Sequence, residues 1–215
     1  MELKKKNWTQ ITISDYMELQ ELINDSDPVD MEIGIVALLC GVSEEEILNL
    51  PIPEYQRLRS DAQFIASFPE VHNKAPKSIT IGDTKYNVIT DMRKLTTAQY
   101  IDFQTYLKMG DDVKYLPSLL SVFIIPKGCK YGDEDYNIDD LTKDIKEYLP
   151  VLTAFEMCGF FQKAFLKSIK NTLFYLELKM RKAARKGTEK EKEILKTIQE
   201  TRLQINGGGF TKLTQ

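Results

Sequence analysis

Leu95-Thr96-Thr97-Ala98-Gln99-Tyr100 reads as the start of a helix, and the chain writes nearly the same phrase at Ile11-Thr12-Ile13-Ser14-Asp15-Tyr16. Thr96 is placed as an N-cap, and Gln99 falls at the third helical position, where its side chain can close a capping box. Leu95 and Tyr100 hold the two positions of a hydrophobic staple. In the earlier copy the cap is Thr12, the staple is Ile11 with Tyr16, and Asp15 stands for Gln99. Both segments then continue with apolar residues on one helical face, Tyr16, Leu19 and Ile23 in the first and Tyr100, Phe103 and Leu107 in the second. Each also carries a glutamine, Gln20 and Gln104, one turn after its tyrosine. The offset between the copies is constant, which predicts one helical unit used twice with the two tyrosines buried in equivalent pockets.

Working outward, the punctuation is helical almost throughout. Asp27-Pro28 opens a second helix with Met31, Ile35, Leu38 and Leu39 as its expected buried stripe, and Gly41 is placed to end it. Ser43 to Glu46 forms a further capping box, closed by Leu50-Pro51. Pro53 starts a helix with Tyr55, Leu58, Ala62, Ile65 and Phe68 on one face. The period then changes. Ser78 to Val88 alternates around Gly82-Asp83, a β-hairpin signal that is too small to stand alone and must pack on the helices or pair with a strand from another chain. Leu116 to Ile125 reads as an apolar helix stopped by Pro126, and Leu149-Pro150 echoes Leu50-Pro51. A long helix from Val151 to Lys186 follows, then a charged helix, then Gly207-Gly208-Gly209 before a short tail.

The expected architecture is therefore mainly α (α+β). Two pseudo-repeated helical units, 1–74 and 93–186, are bridged by a β-hairpin connector at 75–92. A charged helix at 187–206 and a flexible tail at 207–215 complete the chain.

Composition bounds the chemistry. With 42% hydrophobic and 28% charged residues among 215, the chain can bury a genuine core. The three lysines before Trp8 have no apolar stretch behind them, so no secretory signal is expected, and no apolar run is long enough to predict a membrane span. Cys40, Cys129 and Cys158 are odd in number and widely spaced, which suits reduced thiols in a cytoplasm. They lack metal-site spacing, and His72 is the single histidine, in a proline-bounded linker without a nucleophile beside it. Asp133, Asp135, Asn137, Asp139 and Asp144 imitate the spacing of a calcium loop, but Ile138 stands where its sharp turn needs glycine. The glycine triplet has no Gly-Lys-Ser/Thr after it. We expect no enzyme, no metal and no cofactor.

One charge asymmetry remains. Between Lys163 and Lys186 eight basic side chains accompany the single Glu177, and Lys179, Arg181, Lys182, Arg185 and Lys186 close the run. Such a stretch is a solvated face, a contact for an acidic protein surface, or a track for nucleic-acid phosphates. A solvated face or a protein contact is favoured over nucleic acid because no aromatic residues interleave for base stacking. Phe210 and Leu213 sit beyond the glycines as an apolar pair expected to dock on a neighbouring subunit.

The segments Ile11–Gln20, Ser78–Val88 and Lys94–Gln104, with the region from Pro126 to Phe161 in outline, resemble small structural or assembly proteins from the late gene clusters of tailed bacteriophages, particularly crAss-like and related phages of Bacteroidales. The resemblance implies a non-enzymatic virion protein at a head–tail connector, portal, collar, tail or capsid position. Its partners would be other phage structural proteins and copies of itself, and its places the virion and the host cytoplasm during assembly. A tail-assembly chaperone and a DNA-binding accessory protein are the alternatives, and no membrane is implied.

Overall fold

The computed structural model describes residues 1–109, 113–133, 136–184 and 189–206. Helix α1 spans Ile13–Asp25, and both halves of its capping box form: the Asp15 amide donates to Thr12 Oγ1 and the Thr12 amide to the Asp15 carboxylate. Helix α2 (Pro28–Cys40) is capped by Asp27 and ends at Gly41, whose φ of 65° is the left-handed conformation glycine adopts without cost. Its buried face is Gly34, Val36, Ala37, Leu39 and Cys40; Met31, Ile35 and Leu38, expected inside, are only partly covered. The segment is apolar nearly all round, so its periodicity does not select a face, and packing against its neighbours does. Helices α3 (Glu44–Leu48) and α4 (Ile52–Asp61) complete the first helical group, α4 tightening into a 3-10 turn at Ala62–Ala66.

The hairpin forms as β1 (Ser78–Ile81) and β2 (Thr84–Val88), with Ile81 opposite Thr84 across Gly82-Asp83. A third strand, β3 (Ile124–Pro126), lies antiparallel on β2 with Val88 opposite Ile124, giving the order β1-β2-β3. The strand partner thus comes from the same chain. It corrects the expected helix over Leu116 to Ile125: α6 covers only Leu116–Ser121, after which Val122-Phe123-Ile124-Ile125 extends. β-branched and aromatic residues in so short a run suit a pleated, buried surface, and Pro126 falls on an edge strand, where its missing amide is harmless.

Helix α5 (Thr97–Lys108) repeats the capping box of α1 through Thr96 and Gln99. Helix α7 (Ile138–Tyr148) begins at the Asn137 cap, α8 runs from Val151 to Ala184, and α9 covers Glu189–Asn206. The chain is mainly helical with one small antiparallel sheet. No described helix is long and apolar enough to cross a membrane.

Two hydrophobic clusters make the core. The first gathers Leu3, Ile11, Leu19, Leu39, Leu58 and their neighbours; the second gathers the sheet, Phe103, Phe123, Phe161 and the buried faces of α6 and α7. Phe155 touches both, and each cluster borrows one residue across the boundary: Ile13 sits in the second and Val151 in the first. The exchange is locked by backbone. The Ile13 amide donates to the Leu149 carbonyl at 3.2 Å and the Val151 amide to the Ile11 carbonyl at 2.8 Å, a two-bond clasp with Thr12 opposite Pro150. Trp8 seals the first cluster, its ring packed on Tyr16, Phe64 and Phe68 and its indole N–H shared between the carbonyls of Phe64 (3.1 Å) and Ser67 (2.9 Å).

The two staple tyrosines end in different surroundings. Tyr16 is ringed by Trp8, Phe68 and Phe155, and burial raises its phenol pKa. Tyr100 is 41% exposed and rests on Phe165 from one side, which corrects the expectation that both are buried. Among the described residues, Phe165 is the ring that packs on Tyr100, where Tyr16 has three.

Candidate functional site

Among the described residues, the polar groups that the sequence offers for chemistry lie apart from one another. His72 is exposed in the linker between Phe68 and β1. The acidic loop serves local geometry: Asp133 accepts from the Lys130 amide at 2.6 Å, and Asn137 accepts from the Asp139 amide at 2.9 Å as the cap of α7. Asp135 lies outside the described residues. Among the described residues no group of acids, cysteines or histidines is gathered as a metal site. Cys40, Cys129 and Cys158 form no disulfide, and burial pushes the Cys40 thiol up.

Behind that loop sits a set of phenols. Tyr131 donates to Asp102 at 2.7 Å, and burial together with that carboxylate holds its pKa well above the ordinary value. Burial likewise pushes Tyr136 up to about 12, and its hydroxyl has no hydrogen-bond partner among the described residues. These groups are neutral at physiological pH and face the interior rather than a cleft. A shallow groove of about 400 Å³ between α1, α2 and α3 is lined by Lys5, Glu18, Leu38 and Glu44, without a nucleophile or metal-binding set among them.

The surface is more informative. Helix α8 contributes core residues as far as Ile169; beyond that α9 lies along it. Gln199 on α9 donates to Glu177 on α8 at 3.3 Å, so the two helices pack side by side as an arm. Glu177 is only 4% exposed and is paired with Arg181, one turn on, at 2.5 Å. Its charge is balanced within α8, and the hydrogen bond from Gln199 ties this carboxylate to α9.

The described basic residues of α8 do not all share one face. At about 100° of rotation per residue, Lys163, Lys167, Lys170 and Arg181 fall on one side, whereas Lys179 lies about 160° from Arg181 around the helix. Lys179 is exposed, and Arg181 is exposed while committed to Glu177. The side chain of Lys182, and Arg185 and Lys186 altogether, lie outside the described residues, as do Phe210 and Leu213. What the basic run concealed is apolar. Tyr175 and Leu178 on α8, and Ile194 and Leu203 on α9, are exposed. The sign was present in the sequence: five of the six residues from Leu173 to Leu178 are apolar, too many for one buried stripe to absorb. Leu48 and Ile52, at the junction of α3 and α4, form a second exposed apolar pair.

Comparisons with protein-family models, with curated proteins and with solved structures return no match.

Proposed function

We propose that the chain is a non-enzymatic structural protein of a tailed-phage particle, present in several copies at a portal, collar, tail or capsid position. The observation that carries an assembly role is the apolar side chain left uncovered on rigid helices, above all Tyr175 and Leu178 on the arm and Leu48 and Ile52 beside α4. Large apolar residues grouped on ordered elements mark protein contacts. The phage assignment rests on the resemblance of Ile11–Gln20, Ser78–Val88 and Lys94–Gln104. Its partners are copies of itself and other structural proteins of the particle, met first in the host cytoplasm.

The test is mass spectrometry of purified particles alongside lysate from infected cells. A virion component appears in the particle at a fixed ratio to the other structural proteins. A tail-assembly chaperone, the rival reading, is abundant in the lysate and absent from the particle.

A further inference from the structure

Four helices in this chain begin with the same local grammar. An aliphatic residue precedes the cap, the cap is threonine or proline, and the helix opens immediately after it. The threonine-capped starts are Ile11-Thr12-Ile13 on α1 and Leu95-Thr96-Thr97 on α5; the proline-capped starts are Leu50-Pro51-Ile52 on α4 and Leu149-Pro150-Val151 on α8. Each half of the chain therefore owns one start of each kind. The clasp described above joins the threonine start of the first half to the proline start of the second. In it, the first amide of each helix, a donor the helix itself cannot satisfy, donates to the carbonyl ahead of the other's cap.

The remaining two starts are unpaired. Among the described residues, the Thr97 and Ile52 amides and the Leu95 and Leu50 carbonyls hold no hydrogen bond. Burial follows the same division. Ile52 is 72% exposed, whereas Val151, at the corresponding position of the closed clasp, is 0% exposed. Thr97 is exposed where its counterpart Ile13 is buried, and Leu95 is half-buried where Ile11 is fully buried, while Gln99 is as buried as Asp15. A two-fold relation between the halves would have closed both clasps at once. Only one is closed, so the relation is head-to-tail and leaves one complementary half-clasp at each end.

We infer that the occupant of these ends is a second copy of this chain. The Leu95-Thr96-Thr97 start of one copy pairs with the Leu50-Pro51-Ile52 start of the next, repeating between molecules the contact already made within one. Such a heterologous contact propagates from copy to copy until it closes on itself. The inference rests on the multi-copy role proposed above, and it specifies the contact through which copies meet.

The test uses the full chain and two variants in sedimentation equilibrium. Ile52→Asp and Thr97→Glu each place a carboxylate at the first turn of an exposed helix start, where it favours the helix, so far-UV circular dichroism and melting temperature should match the wild type. Wild type should self-associate with rising concentration, and each variant alone should remain monomeric. Mixed in equal amounts, the two variants should form a one-to-one pair and stop there, because each retains the half the other has lost. Thr97→Pro checks the backbone specifically: proline is accepted at the first helical position but donates no hydrogen bond, and association should weaken about tenfold. A monomeric wild type overturns the inference. So does a mixture that stays monomeric, since the contact would then not be head-to-tail. A wild type that assembles together with variants that assemble equally well removes this contact while leaving the multi-copy role intact.

Discussion

Asp15 and Gln99 occupy the same position of the same motif, and the difference between them follows from what each side chain faces. Both are buried and both close a capping box. Asp15 has Lys5 bound to its free side, so a carboxylate is neutralised there. Gln99 is 1% exposed and donates through Nε2 to the Val122 carbonyl at 2.6 Å, a task that needs an amide. Gln99→Glu should therefore keep the cap and turn a carboxylate toward a carbonyl, at a cost of about 2 kcal/mol near neutral pH. The sign of the pH dependence follows from which form the site tolerates. The protonated acid can still donate to Val122, so the folded-state pKa rises above the unfolded value of about 4.3. The deficit is then absent in acid and develops as pH rises from the unfolded towards the folded pKa. Urea unfolding of variant and wild type between about pH 4 and about pH 7 measures it; a deficit that does not change with pH would mean the side chain turns outward instead.

At the scale of elements, the helix starts were legible in the sequence and the apolar interiors were not. Thr12, Ser43 and Thr96 cap helices as read, because a cap is a local arrangement of a few residues. The buried face of α2 and the strand β3 are not legible locally, because each is an apolar run whose conformation and orientation are set by what packs on it. The exposed apolar residues of the arm lay in plain view within a run of charges. No local pattern could announce the approach of Asn73 to α8. A Cβ built on Gly159 falls 1.8 Å from Asn73 Oδ1, an oxygen that is buried without a hydrogen-bond partner among the described residues. Two effects then oppose one another in Gly159→Ala. The helix gains about 1 kcal/mol of backbone propensity, and Asn73 must leave its place. In an Asn73→Ala background only the gain remains, so Gly159→Ala should stabilise the double variant by about 1 kcal/mol over Asn73→Ala, and do less or the reverse in the wild type. Chemical denaturation of the four proteins checks this; equal effects in both backgrounds would show that the two residues do not meet.

The whole molecule is tied together by exchange. Ile13 and Val151 each complete the other cluster, Phe155 belongs to both, and α8 passes from one to the other before entering the arm. Neither cluster can lose its packing without exposing a residue of the other, so the two should unfold as one cooperative unit although the sequence divides them at the hairpin. Trp8 makes that directly observable. It is the only tryptophan in the chain, and its aromatic contacts are all with rings on the first cluster's side of the boundary. Its fluorescence therefore reports on half of the molecule, while far-UV circular dichroism reports on helices from both halves. The two unfolding curves should coincide, whereas an emission change that precedes the loss of helix would separate the clusters. The native indole also carries the information without a label. A variant that loosens the Ile11–Val151 clasp should shift its emission to longer wavelength at denaturant concentrations where the second cluster still stands.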